Sequence, residues 1–323
     1  MSNKKILGID IGFGDVKVTL MSGEGQIEKQ FKFTSTIGIT KRNVHVQDSR
    51  IYDFKEHAYY VGENAMHLPS ANIIDITDYK NLEYYAPLFL YHAIKMVGVT
   101  PDIVVSGLSK AQIENSGYFK EGLSDFTVSN ENFSFENVFI LPQGAGSKLT
   151  IDRYGNNFPN RQEEFMGETT FVGCDIGFNT LDMFLVTDGK TSPSLFEGIE
   201  KEGVMKIATK VAKKVHEEHG RKITLHEAKD IIDTGVYKLR GKKHDFTEFL
   251  TEIKKAYLKE LLQLIETKYG SIIDKCDFIS LSGGGSTIFK QTDDGFIKIP
   301  KSHHEYYNSI GFCLWGVNKI HSM

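Results

Sequence analysis

Two stretches of the chain alternate apolar runs with glycine and acid in the same way. The first, residues 6–18, climbs through Ile6, Leu7 and Ile9 to Asp10, then turns at Gly12-Phe13-Gly14 and returns through Val16, Lys17 and Val18. The second, residues 171–186, climbs through Phe171, Val172 and Cys174 to Asp175-Ile176-Gly177-Phe178 and returns through Thr180, Leu181, Met183 and Leu185. Short β-rich runs on either side of a glycine turn predict β-hairpins. Asp10 and Asp175 hold the same place in the two copies, half a chain apart. Such a repeat predicts two similar halves.

The remaining pattern alternates strands with helices. Strands are expected at 27–33, 51–54, 57–61, 102–107, 136–141 and 278–282, and residues 34–67 read as mixed. Apolar residues three and four apart predict helices over 84–97, 109–123, 203–219, 246–269 and 306–319. Thr224 and Glu227 form a capping-box pattern that opens a further helix, closed by Gly235. Residues 154–161 are polar and read as a surface loop, and 187–190 read as a tight turn. Strands followed by helices with short connections indicate an α/β architecture.

The chain has 323 residues, 40% hydrophobic and 25% charged, enough for two folded domains. The net charge of −4 gives no reason to expect direct binding to nucleic acid or to an acidic membrane. Cys174, Cys276 and Cys313 lack metal-type spacing, which fits a reduced, cytoplasmic chain. The start of the chain runs straight into a strand, so no signal peptide is expected, and no apolar run is long enough to span a membrane.

The chemistry is concentrated at three glycine segments. Backbone N–H groups of Gly12, Phe13 and Gly14 can approach an anion closely, and Lys17 adds a positive charge. A carboxylate such as Asp10 or Asp175 suits Mg²⁺ held mostly through water. The third segment, Gly283-Gly284-Gly285, follows the strand at 278–282. Together they predict a nucleotide held between two similar domains.

In order and turn chemistry these segments resemble the superfamily of actin, the heat-shock chaperones and the sugar kinases, over nearly the whole chain. Asp10-Ile11-Gly12-Phe13-Gly14-Asp15-Val16-Lys17, Leu141-Pro142-Gln143-Gly144-Ala145-Gly146 and the Thr224 segment ending in Asp233-Thr234-Gly235 look most like the plasmid-segregation actins of the ParM/StbA kind and their archaeal relatives. The resemblance implies an actin-like ATPase fold, with two RNase H-like α/β domains around a nucleotide cleft. It places residues 1–144 plus 303–323 in one domain and 145–302 in the other. It further implies ATP as ligand, with GTP left open, together with Mg²⁺.

Roles follow from the resemblance residue by residue. Asp10 and Asp175 would hold the metal and its waters, and Gln143 would orient the attacking water. These three form the catalytic set. Gly12, Phe13, Gly14 and Lys17 would hold phosphate. Gly177, Asn179 and Thr180 would form the second phosphate loop, and Gly283, Gly284 and Gly285 would pack against adenosine. Phe13 stands where actin has a small hydroxyl residue, so Asn179 or Thr180 would have to supply that contact. The implied partners are further copies of the chain in a head-to-tail filament and a DNA-binding adaptor. A phosphotransferase or a regulatory ATPase on the same fold is the alternative, although no carboxylate placed to deprotonate an acceptor is apparent.

Three features have plainer readings. The lysines of 203–219 fit a solvated helix face better than a DNA patch. His303-His304 reads as an exposed loop pair, and the Tyr59-Tyr60 and Tyr84-Tyr85 pairs fit either core or partner contacts.

Overall fold

The computed structural model describes residues 4–41, 48–155, 168–191, 193–289 and 295–322. The first half begins with β1 (Lys5–Ile11), β2 (Asp15–Ser22) and β3 (Ile27–Thr34). Then come β4 (Thr36–Thr40), β5 (Tyr52–Phe54), β6 (His57–Val61) and β7 (Ile73–Asp75), which form a separate four-stranded sheet. Next are α1 (Tyr79–Val97), β8 (Ile103–Leu108), α2 (Ser116–Ser124), the hairpin β9 (Asp125–Val128) and β10 (Glu131–Ser134), β11 (Val138–Pro142) and α3 (Ala145–Tyr154).

The second half comprises β12 (Phe171–Ile176), β13 (Thr180–Val186), β14 (Phe196–Glu200), α4 (Met205–His219) and α5 (Leu225–Thr234). The hairpin β15 (Val236–Leu239) and β16 (Lys242–Asp245) follows, then α6 (Thr247–Tyr269), β17 (Phe278–Ser282), β18 (Ile297–Lys298) and α7 (Tyr307–Ser322).

The repeat read from the sequence is a repeat of topology. One sheet runs β3-β2-β1-β8-β11 and the other β14-β13-β12-β17-β18. In each, the opening three strands pair antiparallel and the next two add on in parallel. The central strands are buried almost end to end; β1 and β12 are mostly apolar, whereas β2 alternates Val16, Val18 and Leu20 with the buried polar residues Asp15, Lys17 and Thr19.

Each sheet has its own core, and a third cluster joins them. It unites Ile6 and Val105 of the first sheet, Phe171, Phe184 and Phe278 of the second, and Tyr307 and Phe312 of α7. α7 crosses α3 where the backbones of Gly311 and Gly146 touch, so side chains at either position would force the helices apart.

Several elements differ from the sequence reading. α1 starts at Tyr79 because Asp78 caps it, accepting from Asn81 N at 2.9 Å. The helix expected over 109–123 is a 3₁₀ turn, Lys110–Asn115, followed by α2. Its first N–H, that of Lys110, turns to Asp182 of the other half instead of to the helix. The loop expected over 154–161 opens with Tyr154 inside α3 and Gly155 as its C-cap, and 156–161 lie outside the described residues. The capping box at Thr224 and Glu227 is present in full. Lys206, Lys213 and Lys214 on α4 are paired with acids of α4, α6 and the preceding loop, as a solvated helix face requires. Tyr59 and Tyr85 are core, while Tyr84 is exposed.

Candidate functional site

The two hairpins point their turns at each other. Asp10, next to last in β1, stands opposite Lys17, whose Nζ lies 3.8 Å from Asp10 Oδ2. Lys17 therefore points back toward its own turn, as its strand position predicts. Asp10 Oδ1 accepts from Gln143 Nε2 at 2.7 Å, so the residue following β11 is brought to the first turn. Asp175 ends β12, and its Oδ2 accepts from Asn308 Nδ2 at the start of α7. Gly283, at φ +82°, packs directly on Asp175, where any Cβ would strike the carboxylate and the Ile176 backbone. The three glycine segments thus converge.

A small cavity at this point is lined by Asp10, Gly12, Phe13, Lys17, Gln143, Asp175, Gly177, Thr180, Gly283 and Gly284. It shares Lys17, Gly177 and Gly284 with a wider cleft of about 380 Å³, which adds Gly14 and Gly285. Asn179 lines neither. It is 3% exposed, and its Oδ1 has no hydrogen-bond partner among the described residues. Phe13 borders the cavity and also belongs to the core of the first half. A larger cavity of 670 Å³ lies on the first half, beside Phe54, Tyr84 and Tyr118. It touches none of the glycine turns, so volume alone does not locate the chemistry.

The site's electrostatics follow from burial. Burial, then the charges of Asp10 and Asp182, push the Asp175 pKa up to about 7. Burial opposes the charge on Lys17, but Asp10, Asp15 and Asp175 outweigh it and raise its pKa. Two carboxylates sharing one cavity repel each other, and a divalent cation would relieve that repulsion. Among the described residues no group of three or more His, Cys, Asp or Glu side chains is arranged to hold a metal. A hard cation that keeps several waters and takes phosphate oxygens fits this sparse donor set.

Sequence reasoning missed three contributors. Asn308 holds Asp175 and also accepts from Gly144 N and Ser147 N. Asp182, 2% exposed, accepts from Ser109 Oγ at 2.8 Å and from Lys110 N at 2.9 Å. Burial pushes its pKa up to about 6. The repeat held the signal for it, since Asp182 stands opposite Asp175 as Lys17 stands opposite Asp10. Lys229 of α5 reaches Asp15 across the cleft.

Comparisons with known proteins bear on the family and the fold. Residues 8–146 match the family described as the N-terminal domain of actin-like proteins. Residues 174–293 match the C-terminal region of the archaeal actin homologue family MreB-like. The chain belongs to the actin-like proteins. This actin-like chain is similar in fold to a non-polymerisable quadruple mutant of pCBH ParM, at 20% identity and a TM-score of 0.77, over 98% of this chain and 100% of that one. It is similar to the archaeal actin homologue Ta0583 in complex with ADP, at 19% identity and a TM-score of 0.74, over 97% and 99%. A 15-stranded ParM filament from Clostridium botulinum gives 20% identity and a TM-score of 0.74, over 98% and 99%. No curated protein matches the chain by sequence. The fold class and the family resemblance read from the residues are borne out. Among the described residues no helix is long and apolar enough to cross a membrane.

Proposed function

We propose that this actin-like protein is an ATPase that binds ATP with Mg²⁺ in the cleft between its two halves and assembles head to tail into filaments. One observation carries the reading: Asp10 and Asp175, one from each duplicated hairpin, line a single cavity with the three glycine segments. We take 1–144 plus 303–323 as one domain and 145–302 as the other.

In this reading Gly12, Phe13 and Gly14 give backbone N–H groups to phosphate, and Lys17 neutralises it. Gly177 and Thr180 face the same phosphate from the second half. Gly283, Gly284 and Gly285 take the nucleoside side of the cleft. Asp10 and Asp175 hold the cation's waters. Bound Mg²⁺ would supply charge neutralisation at the transferring phosphoryl group. Gln143 donates its amide N–H to Asp10, which leaves its amide oxygen to accept from a water and align it. A carboxamide is too weak a base to do more, so hydrolysis is slow and acts as a timer. ATP touching both halves favours the closed cleft, and a closed cleft favours a heterologous contact that extends without closing into a ring. Movement of plasmid DNA through an adaptor in the cytoplasm is the cellular role this implies.

Sedimentation across a protein concentration series tests the reading. Pelleting above a threshold with ATP or a non-hydrolysable analogue, and far less with ADP, is expected. A chain that hydrolyses ATP but stays in the supernatant at every concentration would be a monomeric phosphotransferase or regulatory ATPase instead.

A further inference from the structure

The cleft mouth carries an ion pair that joins the two halves. Asp15 opens β2, directly after the first glycine turn, and is 7% exposed. Lys229 lies on α5 in the second half, and its Nζ is 3.3 Å from Asp15 Oδ2 and 3.4 Å from Oδ1. Both side chains line the 380 Å³ cleft. Burial works against the Asp15 charge, but Lys229, Lys17 and Lys32 outweigh it, so the carboxylate stays ionised.

α5 is built to deliver this contact. Its capping box fixes its start: Thr224 N donates to Glu227 Oε2 at 2.7 Å, and Glu227 N donates to Thr224 Oγ1 at 3.1 Å. One turn along, His226 and Lys229 share a face, since residues three apart on a helix are neighbours. The His226 ring stacks on Phe178 with centroids 6.0 Å apart and planes at 7°. Phe178 in turn packs its Cβ against Gly14. One face of α5 therefore touches the second turn through His226 and the first turn's strand through Lys229.

We propose that Lys229 and Asp15 form a latch that holds the cleft closed, making them positioning residues that slow the escape of bound nucleotide. The proposal rests on the cleft being the nucleotide site. The latch can be removed without leaving a bare charge. Without Lys229, Asp15 still has Lys17 and Lys32 nearby. Without Asp15, Lys229 still has Asp233 at 3.7 Å.

The test uses full-length protein with Asp15→Asn, Lys229→Met and the double variant. Stopped-flow release of a fluorescent ADP analogue is expected to be about tenfold faster in each single variant, and no faster again in the double, because the two act as one unit. Small-angle scattering of nucleotide-free protein should show a larger radius of gyration in all three. If Lys229→Met speeds release while Asp15→Asn slows it, Lys229 is a nucleotide contact that Asp15 competes for, and the latch is overturned. Unchanged radius and unchanged release overturn it equally. If the wild type does not bind the analogue at all, the ATPase reading fails, and the scattering result alone decides the latch.

Discussion

The two hairpins share one backbone and carry opposite charges at the position facing the shared carboxylate. β1–β2 and β12–β13 have the same register, with Asp10 opposite Lys17 and Asp175 opposite Asp182. Lys17 turns toward its own glycine turn and Asp10. Asp182 turns away, to Ser109 and Lys110 at the end of β8 in the other half. A duplicated turn thus presents a carboxylate twice, but a cation beside it once. In the proposed reading the first hairpin faces the nucleotide; the second also ties the halves together through Asp182. A repeat can conserve a fold while dividing the work between its copies.

The largest effect should come from the position the copies share. In the proposed reading Asp10→Ala and Asp175→Ala each remove a charge that would order the cation, and each is expected to lower ATP turnover at least ~1000-fold. Phosphate release at saturating ATP measures this. If one variant keeps wild-type turnover, the copies are not equivalent at that position.

The opposite position should separate them. Lys17→Met is expected to weaken ATP binding about 100-fold in a calorimetric titration, with the urea midpoint little changed. Asp182→Ala should do the reverse. It strands the buried Lys110 N–H and Ser109 hydroxyl, at a cost of about 2 kcal/mol in unfolding free energy. Loss of affinity in the Asp182 variant, at unchanged stability, would mean that both hairpins serve the ligand directly. Gln143→Ala should slow hydrolysis about thirtyfold while preserving ATP affinity and assembly, so that filaments persist longer. A fall in affinity would make Gln143 a brace for Asp10 rather than an aligner of water.

The hairpins were legible because their strands are rich in apolar residues on either side of a glycine turn, with an acid at the same place in both. The long helices α4 and α6 and the capped α5 declared themselves by period and caps. What stayed hidden depends on partners distant in sequence. β14 is a five-residue, half-buried edge strand, and β18 has two residues. β16 is polar throughout, and the four-residue strands β15 and β16 pair only with each other. The turn chemistry of the site could be read locally, whereas Asn308 reaches Asp175 across 133 positions of sequence. Asp182 was within reach on the returning strand of the second hairpin, opposite Asp175.

A pH-dependent effect sharpens the contrast between the halves as folded units. His92 of α1 is 8% exposed in the core of the first half, with its ring edge-on to Phe33 and its Nδ1 2.9 Å from Tyr52 Oη. Burial pushes its pKa down to about 4 from 6.5. Above 6.5 both the folded and the unfolded chain hold it neutral, so it contributes no pH dependence. Between 6.5 and about 4 the unfolded chain takes up a proton that the folded chain refuses, so stability falls as pH falls. At pH 5 the loss is about 2 kcal/mol. Urea unfolding at pH 7.5 and pH 5, compared between wild type and His92→Gln, isolates this contribution from that of the carboxylates. Hydrogen exchange at pH 5 should then show the first half opening before the second. Equal pH dependence in wild type and variant would mean that His92 is protonated in place, and that acid does not distinguish the two halves through this residue.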